Sequence, residues 1–271
     1  MKKKTILITG STDGIGKETA FELASMGHHV IMHGKREDYG KQLSEEIKKI
    51  TGNQSVDYVN ANLSDFREIK NLTKQIKEHY LKIDVLLNNA GVFMNEKVIL
   101  PNGLEMTFMV NHMAVFCITN ELLELVKKSK HGRIIVTSSM AHSSSIDFNN
   151  LNGEKYWDPY NSYAVSKLAN ILFSYKLNRN LQQQKCNVTV NCLHPGVIST
   201  KLLHAGWGIG GASLQHGAAT SVYLATSPEV ENVSGRYFVN KQPQKSSAFS
   251  YDEKAQDKLW QISTDICNSN S

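Results

Sequence analysis

No stretch of the 271 residues approaches the ~18 consecutive apolar residues that a membrane helix needs. Basic residues Lys2, Lys3 and Lys4 precede the apolar Ile6-Leu7-Ile8, but that run stops at Thr9-Gly10, far short of a signal-peptide core. The expectation is a cytoplasmic protein with no membrane span. Cysteine is scarce: Cys117, Cys186, Cys192 and Cys267 form no C-x-x-C pair, and the 10 histidines form no HExxH. No metal site is expected, and Cys117 and Cys192, both in apolar segments, are expected as reduced core residues. With only 5 prolines and no Gly/Ser/Pro-rich linker, nothing divides the chain. Residues 1–271 read as one domain, since a single α/β sheet can organise ~250 residues. Net charge is +5, yet no basic stripe or nucleic-acid motif accompanies it, so nucleic acid is not expected as a partner.

What is present alternates between strand and helix. Residues 4–9 form a short β-branched run, followed by Gly10-Ser11-Thr12-Asp13-Gly14-Ile15-Gly16 and a helical pattern to Gly27. A strand, a glycine turn and a helix start together suit a dinucleotide. The glycines let the backbone approach a pyrophosphate, and the helix end offers free N–H groups. Further strands are expected at 29–33, 56–61, 84–88, 133–137, 188–193 and 235–239, giving about seven in all. Helices are expected at 103–127, 163–181, 217–226 and 252–266. This pattern predicts a Rossmann-type, doubly wound parallel sheet with helices on both faces.

The second strand ends at His33-Gly34-Lys35-Arg36 with no carboxylate. Lys35 and Arg36 suit a 2′-phosphate, so NADP is favoured over NAD; the alternative is that both are loop charges. Asn62 and Leu63 end the third strand, and Asn88-Asn89-Ala90-Gly91 the fourth, on the side where such sheets bind ligands. Pro195-Gly196-Val197 follows the sixth strand. His194 before it reads as a satisfied structural histidine. Residues 199–215, glycine-punctuated yet apolar, are expected to form a substrate lid. Residues 268–271 are expected as a flexible tail.

Tyr163 and Lys167 lie one helical turn apart on one face. A tyrosine titrates near pH ~10, and a neighbouring ammonium would lower that value and make the pair a usable acid/base. Asn111 is a polar interruption within an apolar helix, and a buried Asn needs partners. Ser138 and Ser139 follow the fifth strand. Adjacent strand residues face opposite sides, so only one of them should point at the site.

In order and spacing, Thr9-Gly10-x-x-x-Gly14-x-Gly16, Asn88-Asn89-Ala90-Gly91, Asn111, Ser139, Tyr163-x-x-x-Lys167 and Pro195-Gly196 resemble the short-chain dehydrogenase/reductase family. Ser138-Ser139-Met140-Ala141-His142, Tyr163-Ala164-Val165-Ser166-Lys167 and Leu193-His194-Pro195-Gly196 are similar to its retinol-dehydrogenase-like branch. The resemblance implies a carbonyl reductase or alcohol dehydrogenase working by hydride transfer. It makes Tyr163 the acid/base, Ser139 the group polarising the carbonyl, and Lys167 the tuner of Tyr163. Asn111 would order a water for proton supply, and Thr200 would reach the cofactor. It also implies a homodimer or homotetramer. Phe93, Met94, Trp157, Leu202, Leu203 and Trp207 are the candidate lining for a small, apolar substrate. Two other readings are an NADP-binding sensor or scaffold with little turnover, and a nucleotide-sugar epimerase. The complete Asn-Ser-Tyr-Lys set speaks against the first, and the little room after Pro195 against the second.

Overall fold

In the computed structural model, which describes residues 3–270, eight strands form one sheet in the order β3-β2-β1-β4-β5-β6-β7-β8. They are β1 (Thr5–Ile8), β2 (His29–Gly34), β3 (Val56–Asn60), β4 (Val85–Asn88), β5 (Arg133–Thr137), β6 (Thr189–His194), β7 (Arg236–Val239) and β8 (Gln242–Gln244). The first seven run parallel. β8 turns back antiparallel along β7 and was not expected, because the exposed Gln-Pro-Gln carries no apolar alternation. Lys2, at the head of the basic run, lies outside the described residues, as does Ser271.

Near-continuous apolar runs such as Ile6-Leu7-Ile8 and Val85-Leu86-Leu87 are fully buried because helices cover both faces. One layer holds α1 (Gly14–Ser25), α2 (Glu37–Thr51) and α8 (Leu214–Thr226). The other holds α3 (Phe66–His79), α4 (Met106–Phe108), α5 (Ala114–Lys127) and α6 (Pro159–Gln183), with α9 (Glu253–Ser269) packed outside α6. The strand order reverses between β1 and β4. A cleft opens there, beyond the carboxyl ends of the strands, as doubly wound sheets require.

Several boundaries differ from expectation for local reasons. The helix expected at 103–127 begins only at Met106 and is interrupted by a π-helical turn at Met109–Met113, which contains Asn111. Such turns insert one residue into the ladder and often mark functional positions. α6 starts four residues before Tyr163 because Asp158 caps it and Pro159 opens it. Residues 199–215 contain a short helix, α7 (Lys201–Trp207), capped by Thr200 and stopped by left-handed Gly208.

Two expectations about the C-terminus are corrected together. Cys117 is not a reduced core thiol: it is joined to Cys267 by a disulfide with Cα atoms 6.6 Å apart. The 150-residue separation hides this pairing from any spacing argument. Asn268 and Ser269, expected in a flexible tail, continue α9 beyond the bonded cysteine. Cys192 is buried and free, as expected.

Candidate active site

The glycine turn is shaped by contacts only glycine allows. Gly10 has φ +63°, and a Cβ there would lie 2.8 Å from the Ala90 Cα. A Cβ on Gly16 would lie 2.2 Å from the Gly10 carbonyl oxygen. Asn89 ties the two strand ends together: its Nδ2 donates to the Thr9 and Gly10 carbonyls at 3.0 Å each. The N-terminus of α1 therefore opens directly onto the cleft, and its cap is Asp13, which accepts from the Gly14 N–H. Burial works to raise the Asp13 pKa. Its hydrogen bonds from Lys201 and the Gly14 N–H outweigh this and hold the carboxyl below its usual range. Lys201 lies 2.6 Å from Asp13, so the acid in the glycine turn is paired with a cation from α7.

A cleft of ≈ 750 Å³ runs from this turn toward α6. Of the residues expected at a cofactor, Gly10, Thr12, Asp13, Gly14, Ile15 and Gly16 border it, as do Lys35, Asn62, Leu63 and Asn89 to Gly91. Pro195, Gly196, Val197 and Thr200 border it too, with Tyr163 and Lys167 at the far end. Ser11 and Arg36 do not. The Ser11 hydroxyl turns inward to the Ile8 carbonyl, and the Arg36 guanidinium lies over the Tyr39 ring, 4.3 Å from its centroid. The shape fits a dinucleotide: bare glycine backbone, an open helix N-terminus and a lysine at the end of β2.

Sequence reasoning missed His33. It is fully buried, accepts from the Gly10 N–H at Nδ1 (3.1 Å) and donates from Nε2 to the Ala61 carbonyl (3.1 Å). It thus fastens the ends of β1, β2 and β3 beneath the cleft. Its apolar strand context gave no sign of this. His194 also borders the cleft but is not the satisfied histidine expected: its buried Nδ1 has no hydrogen-bond partner among the described residues.

At the α6 end, Ser138 and Ser139 diverge. The Ser138 hydroxyl donates to the Lys167 carbonyl at 2.7 Å and so braces α6. Ser139 accepts from the Ala141 N–H at 3.1 Å, and its hydroxyl borders the cleft beside Tyr163. Burial pushes the Tyr163 phenol up to about 12, an effect only partly opposed by the Ser139 hydroxyl. Lys167 does not lower it as expected. Its Nζ lies 5.4 Å from the Tyr163 ring centroid and contacts the Thr137 carbonyl at 3.4 Å. Complete burial pulls Lys167 itself down to about 8. The phenol is therefore protonated at neutral pH and suited to donating a proton.

Asn111 sits behind this pair rather than in the cleft. Its amide exchanges hydrogen bonds with Val92, accepting from N–H at 2.7 Å and donating to the carbonyl at 3.0 Å, and also donates to Ser166 Oγ at 3.0 Å. A Cβ on Gly91 would stand 3.3 Å from Lys167 Nζ and 3.4 Å from Asn111 Oδ1, so this glycine lets the two approach.

Aromatic rings cluster around Tyr163. Phe93, Tyr163 and Trp207 lie 5.3–5.6 Å apart pairwise, and Tyr160 adds an edge contact to Trp207 at 5.8 Å. Leu202, Leu203 and Trp207 border the cleft as expected, whereas Phe93 packs behind Trp207. Met94 and Trp157 do not reach the cleft; Trp157 packs against Gly153 instead.

Comparison with known proteins agrees with this arrangement. The pattern of the family described as short chain dehydrogenase matches residues 4–206. Retinol dehydrogenase 14 of Homo sapiens is 37% identical over 97% of this chain and 86% of its own length. Polyprenol dehydrogenase of Homo sapiens is 34% identical over 97% and 84%. A short chain dehydrogenase of Escherichia coli CFT073, solved with NADPH, superposes with a TM-score of 0.72 at 25% identity, covering 89% of this chain and 98% of that one. The chain belongs to the short chain dehydrogenase family, oxidoreductases that interconvert an alcohol and a carbonyl with NAD(P).

Proposed function

We propose that this protein is an NADP(H)-dependent oxidoreductase of an apolar alcohol/carbonyl pair, with Tyr163 as the proton donor and acceptor. The observation that carries the reading is that Ser139, Tyr163 and Lys167 meet at the inner end of one cleft whose other end is a glycine cradle. The nicotinamide cofactor supplies the hydride when bound; the protein supplies position and electrostatics.

In the reductive direction, Tyr163 donates its proton to the carbonyl oxygen. Ser139 hydrogen-bonds that oxygen and draws electron density toward it, which stabilises the developing alkoxide. Its orientation follows from the Ala141 N–H, which occupies a lone pair of Oγ and leaves the hydroxyl proton free to point forward. Lys167 borders the cleft next to Tyr163 and holds a positive charge there below pH 8. Asn111, next to Lys167 behind Gly91, orders a water that returns protons from solvent.

NADP is preferred over NAD because Lys35 stands at the cleft with no carboxylate paired to it among the described residues. The nearby Glu37 is taken by Lys41 at 2.6 Å. An apolar substrate follows from the ring cluster and from Leu202 and Leu203. Two relatives are named for isoprenoid alcohols, retinol and polyprenol, and we extend that chemical class to this chain. Residues 199–215 act as the lid. The test is turnover of isoprenoid and short-chain aldehydes with NADPH and with NADH. Faster turnover with NADPH and with the isoprenoid members is expected. Preference for NADH, or for polar aldehydes, would contradict the respective assignment.

A further inference from the structure

Ser139 is held from behind by a residue that does not border the cleft. The His142 side chain donates from Nδ1 to the Ser139 carbonyl at 2.6 Å, and the His142 main-chain N–H reaches the same oxygen at 3.3 Å. The other ring nitrogen, Nε2, accepts from the main-chain N–H of Ser247 at 3.0 Å. The ring stands edge-on to Tyr237 of β7, with centroids 5.5 Å apart. Ser247 lies where the chain leaves β8 and enters the 3-10 turn Ala248–Tyr251 that leads into α9. A donor at Nδ1 and an acceptor at Nε2 define one neutral tautomer, assigned from its partners. In that form the imidazole is a strut between the C-terminal segment and the serine.

The Ala141 N–H fixes the Ser139 hydroxyl from the same turn. Any shift of the turn therefore changes both where Oγ sits and where its proton points. Misplacing such a group by about 1 Å costs on the order of 10²-fold in rate. We propose that His142 is a positioning residue that keeps Ser139 in register with Tyr163, and that its own anchor is the Ser247 N–H. The inference rests on the reading of Ser139 and Tyr163 as the reacting pair. Its signature is a loss in kcat without a loss in nucleotide affinity, because the glycine cradle lies at the other end of the cleft.

Two variants separate positioning from folding. His142→Asn keeps a donor at the Nδ1 position and loses the acceptor. His142→Phe keeps a flat ring against Tyr237 and loses both bonds. His142→Phe is expected to lower kcat about 10- to 100-fold with the NADPH dissociation constant within about twofold, and His142→Asn, which loses only the Ser247 bond, to lower it about fivefold. Ser247 has φ −57°, a value proline adopts, so Ser247→Pro deletes the N–H without bending the backbone. Against Ser247→Ala as the side-chain reference, it is expected to lower kcat about fivefold. It should have no further effect in the His142→Asn background. Full kcat in His142→Phe, or effects that multiply in the double variant, overturn the proposal.

A second readout needs no turnover. In 15N spectra of the imidazoles, the signal absent from His142→Asn is expected to show a protonated Nδ1 and a bare Nε2. The opposite tautomer overturns the strut. A wild-type protein inert toward every carbonyl would count against the function proposed for the cleft, while the tautomer would still decide the role of His142.

Discussion

The indole of Trp207 stands edge-on to the Tyr163 ring, with centroids 5.6 Å apart and planes at 81°. One ring belongs to α7 and the other to the proposed acid. Under the proposed function, Trp207 is part of the apolar wall that the substrate meets. Trp207→Ala is expected to raise KM for apolar aldehydes about tenfold, the loss of one large apolar contact, and to change kcat less than about threefold. Steady-state kinetics on one isoprenoid aldehyde would check this. An unchanged KM would remove the lid from substrate binding.

The opposite orientations of Ser138 and Ser139 predict opposite phenotypes. Ser139→Ala is expected to lower kcat by about 10²–10³-fold, the usual effect of removing one oxyanion donor. Ser138→Ala removes a buried bond to the Lys167 carbonyl and should cost about 1–3 kcal/mol of stability with little loss of kcat. Paired urea melts and rate measurements separate the two. Loss of turnover in Ser138→Ala alone would reverse the assignment.

Lys35 borders the cleft and Arg36 lies on Tyr39, so the two cations should not contribute equally. Lys35→Glu is expected to weaken NADPH binding on the order of 10–100-fold and leave NADH binding nearly unchanged, in line with one charge-assisted hydrogen bond. Arg36→Ala should cost less. Titration of intrinsic fluorescence with each nucleotide gives both constants. A larger loss in Arg36→Ala would overturn the ranking.

Two buried histidines tie stability to pH. Burial pushes His33 and His112 down to about 4 from 6.5. In the fold each keeps one bare nitrogen as an acceptor, toward the Gly10 N–H and the Ser263 hydroxyl. As pH falls below 6.5 the unfolded chain gains protons on these groups and the folded chain does not. The stability they provide is therefore complete above pH 6.5 and is lost between pH 6.5 and about 4, at about 1.4 kcal/mol per pH unit for each. The urea midpoint is expected to fall from pH 7 to pH 5, and to fall less in His112→Gln. An equal drop in both proteins would remove His112 from the account.

Much of this was legible in sequence because it is local. The glycine turn announces a strand-to-helix crossover by its φ requirements, and the continuous apolar runs announce buried parallel strands. Tyr163 and Lys167 share a face by helical period alone. What was hidden depends on residues distant in the chain. The Cys117–Cys267 bond spans 150 residues. His33 acquires its role only when β1 and β3 flank β2. Lys167 looked like the group that lowers the Tyr163 pKa, since spacing gives proximity. Spacing does not give the burial that raises the phenol and lowers the amine together. The inward turn of Ser11 and the stacking of Arg36 on Tyr39 are likewise side-chain choices that a motif cannot express.

The central claim is that the Tyr163 phenol moves the proton. The direct measurement is NADPH consumption with an isoprenoid aldehyde by wild type and Tyr163→Phe, alongside NADPH binding to both. The account predicts turnover in the wild type, a loss of about 10²–10⁴-fold in the variant, and binding within about twofold. Turnover that survives in Tyr163→Phe with unaltered binding would contradict it.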